Sequence, residues 1–121
     1  GELRVTGDIT AFYSDERLKD FAGNIPNALD KVKSLNGYYY YENEKAKEYG
    51  YDNPERQVGL SAQEVEKVLP EVIAEAPINT EYKTDYKTVK YEKMIPLLVE
   101  AMKEQQEQIE KLTAEIEKLK R

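Results

Sequence analysis

The chain has 121 residues, 35% of them charged, with a net charge of −6 and a pI near 4.8. That length fits one domain with an appendage, and the acidic balance excludes a duplex nucleic-acid binder, which needs a basic footprint for the phosphates. With no Cys and no His, disulfides, thiolate chemistry, cysteine zinc sites and the usual general base are excluded.

Any nucleophile must therefore be Ser, Thr, Tyr or Lys, with Lys, a carboxylate or Tyr as its base. No apolar run approaches the roughly 20 residues of a membrane span, no basic amphipathic helix suits an acidic membrane, and no signal-peptide pattern opens the chain. A polar chain of this size, with mean hydropathy −0.80, buries a modest core. Some of its apolar residues are expected to face identical neighbours in an oligomer.

Residues 1–13, "GELRVTGDITAFY", carry Leu3, Val5, Ile9 and Phe12 in a partly alternating pattern. They read as short extended segments at the end of something larger. From Ser14 the pattern changes. Ser14 precedes Asp15 and Glu16, as at a helix N-terminus, and "GNIP" at 23–26 breaks the run. "NALDKVKSL" then sets Ala28, Leu29, Val32 and Leu35 on one helical face, with Asn27 as cap and Asn36-Gly37 as a left-handed end.

"YYYYEN" predicts a strand, with alternate tyrosines packing inward and showing their hydroxyls outward. A carbohydrate platform is the competing reading of the same run. "EKAKEYGYDNPE" reads as a polar excursion ending in a turn, and "RQVGL" as the partner strand. "SAQE" at 61–64 fits a capping box, Ser61 bonding the amide three residues on and Glu64 reaching back. A short helix follows and stops near Pro70. "EVIAEAP" and "YKTVKY" read as short strands joined by a loop over 77–85.

In the last segment Ile95, Leu98, Met102, Gln105, Ile109, Leu112, Ile116 and Leu119 alternate spacings of three and four. That is a heptad seam of about four repeats. Pro96 belongs in the first turn of this helix or marks a kink after a turn beginning near Glu92. A two-position stripe is narrower than the face a globular helix buries, which favours self-association over folding back. The spacing alone leaves dimer and trimer open.

Ser14 has two readings. A Ser before Asp-Glu is ordinarily a cap, and a Lys five residues on ordinarily faces solvent. On a regular helix two such residues point about 140° apart. A Ser14–Lys19 dyad needs Ser14 just outside the helix with the lysine stem reaching back, or Lys19 of one chain serving Ser14 of another.

"SDERLK", "NALDKVKSLNGYYYY", "QVGLSAQEVEKVLPEV" and "YKTVKYEKMIPLLVEAMKEQQEQIEKL", in that order, resemble the C-terminal intramolecular chaperone, or self-cleaving, domain of bacteriophage tailspikes and tail fibres. Endosialidase tailspikes carry it, and the myelin regulatory factor has a relative. The resemblance runs from Ser14 to the C-terminus. It implies an α+β fold: a small mixed domain of short strands and helices, then a long C-terminal helix in a trimeric coiled coil. Its divisions are 1–13, the end of a fibre; 14–91, the chaperone and autoprotease; and 92–121, the coil.

It further implies a homotrimer that assists folding of the upstream fibre in the host cytoplasm and then cuts itself off, leaving the fibre stub on the virion. The nucleophile maps to Ser14, the base to Lys19 and the scissile bond to Tyr13–Ser14. No cofactor, metal, nucleic acid or membrane is called for. A lysine is a base only when neutral, which burial away from water and carboxylates favours; a pairing with Asp20 works against it. Asp15 either orients the dyad or favours the helix N-terminus. Amides near Gly59 are candidate oxyanion donors, because glycine admits close backbone approach. Gln63 and Glu64 either support the site or, as the capping box has it, serve the helix. The rival function is a permanent trimerisation or adhesin tip that never cleaves.

Overall fold

A computed structural model describes residues 2–10 and 13–120. The fold is α+β. In chain order it comprises α1 (Ala28–Lys33), β1 (Tyr38–Tyr40), α2 (Glu44–Lys47), β2 (Gln57–Gly59), α3 (Ala62–Val68), β3 (Ile73–Glu75), α4 (Ile78–Tyr82), β4 (Lys87–Val89) and α5 (Ile95–Leu119). Short 3-10 turns cover Glu16–Leu18, Pro70–Val72 and Tyr91–Met94. The strands form two separate antiparallel pairs, β1 with β2 and β3 with β4. No helix among the described residues is long and apolar enough to cross a membrane.

The core is small, and many large apolar side chains, among them Leu18, Phe21, Ile109 and Leu112, stay exposed in the single chain. Ala28, Val65, Val72, Val89, Met94, Leu97 and Ala101 are buried; Leu29 and Val32 pack against them from α1, and Leu35 from just beyond its end. This is the helical face that the spacing predicts. Leu97 and Ala101 lie four apart on α5, so they share a face, and that face meets α1. The first two turns of α5 thus belong to the core. Every described residue after Glu104 is exposed. Pro96 sits in the first turn of α5, where its missing N–H has no partner to lose.

Several sequence expectations change in three dimensions. Among the described residues of 1–13, Leu3, Val5 and Ile9 are exposed and form no strand; Phe12 lies outside the described residues. Asn27 adopts a left-handed conformation, φ 52°, and its side chain makes no cap bond. The α1 N-terminus is served instead by α5, whose Glu104 Oε2 accepts from the Leu29 amide at 3.0 Å. Asn36 and Gly37 are not left-handed; among the described residues the non-Gly positions with positive φ are Asn27 and Lys83, and the glycines Gly23 and Gly50.

The polar excursion contains α2, capped by Asn43, whose Oδ1 accepts from the Ala46 amide at 2.9 Å. The loop expected over 77–85 contains α4. Buried Asn79 organises it: its Nδ2 donates to the Tyr86 carbonyl at 2.7 Å, and its Oδ1 accepts from the Tyr86 amide and the Thr84 hydroxyl. Tyr49 packs edge-on against Tyr82 and Tyr86 at 4.9 and 5.5 Å, which ties the α2 excursion to the β3–β4 connection.

The tyrosine strand forms and pairs with β2, with Tyr39 opposite Val58 and Tyr38 opposite Gly59, but the expected inward packing of alternate tyrosines is not reached: all four are exposed in the single chain. Tyr38 and Tyr40 are 42% and 44% exposed, against 68% and 65% for Tyr39 and Tyr41, so the two faces differ only in degree. The Arg56 guanidinium lies 4.0 Å over the Tyr39 ring, which makes the run a poor flat platform for a sugar.

Candidate active site

The segment from Tyr13 to Lys19 folds as one 3-10 turn. Its bonds run from the Leu18 amide to the Asp15 carbonyl and from the Lys19 amide to the Glu16 carbonyl, both 3.1 Å. The cap is Asp15, not Ser14. Asp15 Oδ1 accepts from the Arg17 amide at 2.9 Å, and both carboxylate oxygens take the Arg17 guanidinium, at 3.0 and 2.8 Å. The Arg17 side chain and then its backbone amide hold the Asp15 carboxyl below the usual carboxylate range.

Ser14 therefore stands one residue outside the turn. Lys19 leaves the turn extended, φ −132° and ψ 142°, and its stem folds back so that Nζ donates to Ser14 Oγ at 2.8 Å. The divergence of a regular helix does not apply, because only three residues turn between the two and both ends are extended. Among the described residues no ion pair joins Lys19 to Asp20 or to Asp15; Asp15 is taken by Arg17. Ser14, Lys19 and Tyr13 are all exposed.

This segment is tied to the core downstream of the turn. Asn24 Nδ2 donates to Glu100 Oε1 of α5 at 2.9 Å. The Asn24 amide, and then Lys103, hold the Glu100 carboxyl below its ordinary range. Leu18, the last residue of the turn, and Phe21, between the turn and this anchor, remain 67% and 74% exposed.

The supporting residues lie elsewhere in the single chain. The hydrogen bonds of Ser14, Asp15 and Lys19 all stay within 14–19. Gly59 lies in β2, where a Cβ would meet Tyr40 Cε1 and the Tyr91 hydroxyl, both at 3.1 Å. The Leu60 amide donates to that Tyr91 hydroxyl at 3.0 Å. Close packing thus accounts for a glycine at 59.

Ser61 caps α3, its Oγ accepting from the Glu64 amide at 3.3 Å. The reciprocal half of the capping box does not form. Glu64 instead accepts from the Tyr38 hydroxyl and from Asn36 Nδ2, at 2.5 and 3.1 Å. Those two donors, Tyr38 first, lower the Glu64 pKa, and the same contact raises that of Tyr38. Gln63 is exposed on α3. The Tyr38–Glu64 pair is the feature that sequence reading missed, since it joins residues 26 apart with no local signal.

Comparison with known proteins adds an independent line. Residues 14–74 match the family described as chaperone of endosialidase, and the match begins at Ser14. The chain is 38% identical over 103 residues to the long tail fiber protein Gp37 of Enterobacteria phage K3, which covers 85% of this chain and 8% of that protein. The Gp37 protein of Enterobacteria phage T2 is equally similar, at 38% over 103 residues, 85% of this chain and 7% of that protein. That of Salmonella phage S16 is 30% identical over 107 residues, 88% of this chain and 14% of that protein. The chain thus spans a small fraction of these relatives, and with half of its own length under one family pattern it belongs to the chaperone of endosialidase family.

Proposed function

We propose that this chain trimerises a phage tail fibre, assists its folding during assembly in the host bacterium, and is released by cutting its own Tyr13–Ser14 bond. The observation that carries the reading is the 2.8 Å contact between Lys19 Nζ and Ser14 Oγ, at the start of a chain belonging to this chaperone family. The tail-fibre relatives support the setting.

The chemistry needs only these two side chains and water. Neutral Lys19 accepts the Ser14 hydroxyl proton, across the contact in which Nζ now acts as donor. Oγ adds to the Tyr13 carbonyl carbon, the C–N bond breaks, and the Ser14 nitrogen takes up the proton as a new terminal amine. The resulting ester joins Tyr13 to Ser14 Oγ. Water then attacks it, giving a fragment that ends at the Tyr13 carboxylate and one that begins at Ser14. The attack is on the chain's own backbone, so one chain is cut once.

Assembly belongs to α5. Ile109, Leu112 and Ile116 are 50%, 59% and 52% exposed on a helix that has left the core. Such a projecting helix is marginal alone in water, and its seam requires partners. A permanent, uncut trimerisation tip is the second reading, favoured by the exposure of both dyad residues in the single chain.

Light scattering tests the assembly half. The unaltered chain should weigh three chains, and Ile109→Asp with Leu112→Asp should give monomers, because charge buried without a partner costs several kcal/mol. A native mass of one or two chains for the unaltered protein contradicts the reading.

A further inference from the structure

An open groove of 750 Å³ lies between the C-terminal end of α1, the β1–β2 hairpin and the first turns of α5. Its walls include Val32, Leu35, Leu60, Met94, Ile95 and Leu98. At its mouth stand Tyr39 and Val58, which are cross-strand partners and so project from the same face of the hairpin. They are 68% and 73% exposed, the most exposed apolar side chains of the two strands.

Two of the wall residues have a second membership. Ile95 and Leu98, 59% and 46% exposed, are the first two positions of the heptad seam. The apolar seam therefore does not stop at the base of α5. It opens into the groove, and the groove carries it onto the hairpin.

We propose that the groove and the Tyr39–Val58 pair form one interface between copies of this chain, which holds the coil parallel and in register. The proposal rests on the self-association reading given above. In a parallel, in-register coil every copy has its hairpin at the height of Ile95 and Leu98, so one copy's Tyr39 and Val58 meet the next copy's groove. In an antiparallel pair Ile95 faces the far end of α5. The partner's hairpin then lies a helix length away, about 36 Å at 1.5 Å per residue, and the groove stays empty. A register slip of one heptad moves the hairpin by about 10 Å and likewise breaks the fit. The seam alone repeats every seven residues and tolerates such slips; the groove occurs once.

The chain has no cysteine, so a single introduced thiol reports alignment. Ile116→Cys places it near the far end of the seam, where thiols of neighbouring copies meet only if the helices are parallel and in register, since in an antiparallel pair they lie about 27 Å apart. In that background Val58→Asp should lower the disulfide yield and raise the concentration at which the assembly dissociates, each by at least about tenfold, through burial of an unpartnered carboxylate. Tyr39→Ser should do the same more weakly. Tyr41→Asp, outside the groove, should do neither. Far-UV circular dichroism should be unchanged, since all three positions are exposed.

If the Ile116→Cys chain forms a trimer and Val58→Asp leaves its mass, dissociation and disulfide yield unaltered, the groove proposal is overturned while association stands. Loss of folding of an attached fibre with the trimer intact also overturns it, and points to the fibre as the groove's occupant. A monomeric unaltered chain overturns the association reading, and this one with it.

Discussion

Lys19 Nζ reaches Ser14 Oγ at 2.8 Å across a turn of three residues whose cap is Asp15. Asp15 is thereby given a task that is neither proton transfer nor contact with the dyad. It holds the turn, and the turn sets the distance. Asp15→Asn keeps an oxygen that can accept from the Arg17 amide, and should cut at close to the normal rate. Asp15→Ala removes the cap and should slow cutting by about fivefold, the effect of one lost cap. Equal, large losses in both variants would show that the carboxylate charge itself acts in the reaction.

In the proposed reaction Lys19 accepts a proton and does not merely carry charge. Lys19→Arg keeps charge and reach but cannot act as a base near neutral pH. It should trimerise normally and remain uncut in an intact-mass time course. Normal cutting by Lys19→Arg would remove the dyad from the account.

The two faces of α5 should separate stability from assembly. Leu97 is fully buried against α1, and Leu97→Ala should lower unfolding stability by roughly 2–5 kcal/mol. Leu112→Asp lies past the last core contact and should leave the globular part folded while weakening association. Chemical denaturation combined with sedimentation distinguishes these outcomes.

The Tyr38–Glu64 bond should make stability depend on pH in the acid range. The Tyr38 hydroxyl lowers the Glu64 pKa, so its contribution is complete above the unfolded value of about 4.3. It is lost as pH falls through the lower folded value. Tyr38→Phe should melt below the unaltered protein at pH 7, and the gap should close as pH drops below about 4. A gap that persists at pH 3 would mean that the tyrosine acts by packing alone. Tyr41→Ala, on the open face, should be tolerated.

What the sequence made legible was local. The α1 face, the α3 cap at Ser61, the tyrosine strand and the place of Pro96 follow from spacing and capping chemistry within a few residues. The failures were long-range. Asn27 reads as a cap, but Glu104, 77 positions on, supplies the acceptor for α1. Glu64 reads as half of a capping box, but a tyrosine from β1 takes it. The 77–85 segment lacks apolar periodicity, and α4 forms there because buried Asn79 collects donors and acceptors from Thr84 and Tyr86. In the candidate site, Ser14 and Lys19 could be named as a pair from their motif. The capping role of Asp15 and the way the lysine returns to the serine required the turn itself.

The central claim is that the Tyr13–Ser14 bond is cut by Ser14 once copies have assembled. Intact-mass spectrometry of freshly prepared protein, followed over time beside Ser14→Ala, tests it most directly. The unaltered trimer should yield one fragment ending at Tyr13 and one beginning at Ser14, while Ser14→Ala stays whole and still assembles. A fully assembled, unaltered chain that remains whole for days contradicts self-cleavage and leaves the permanent trimerisation tip.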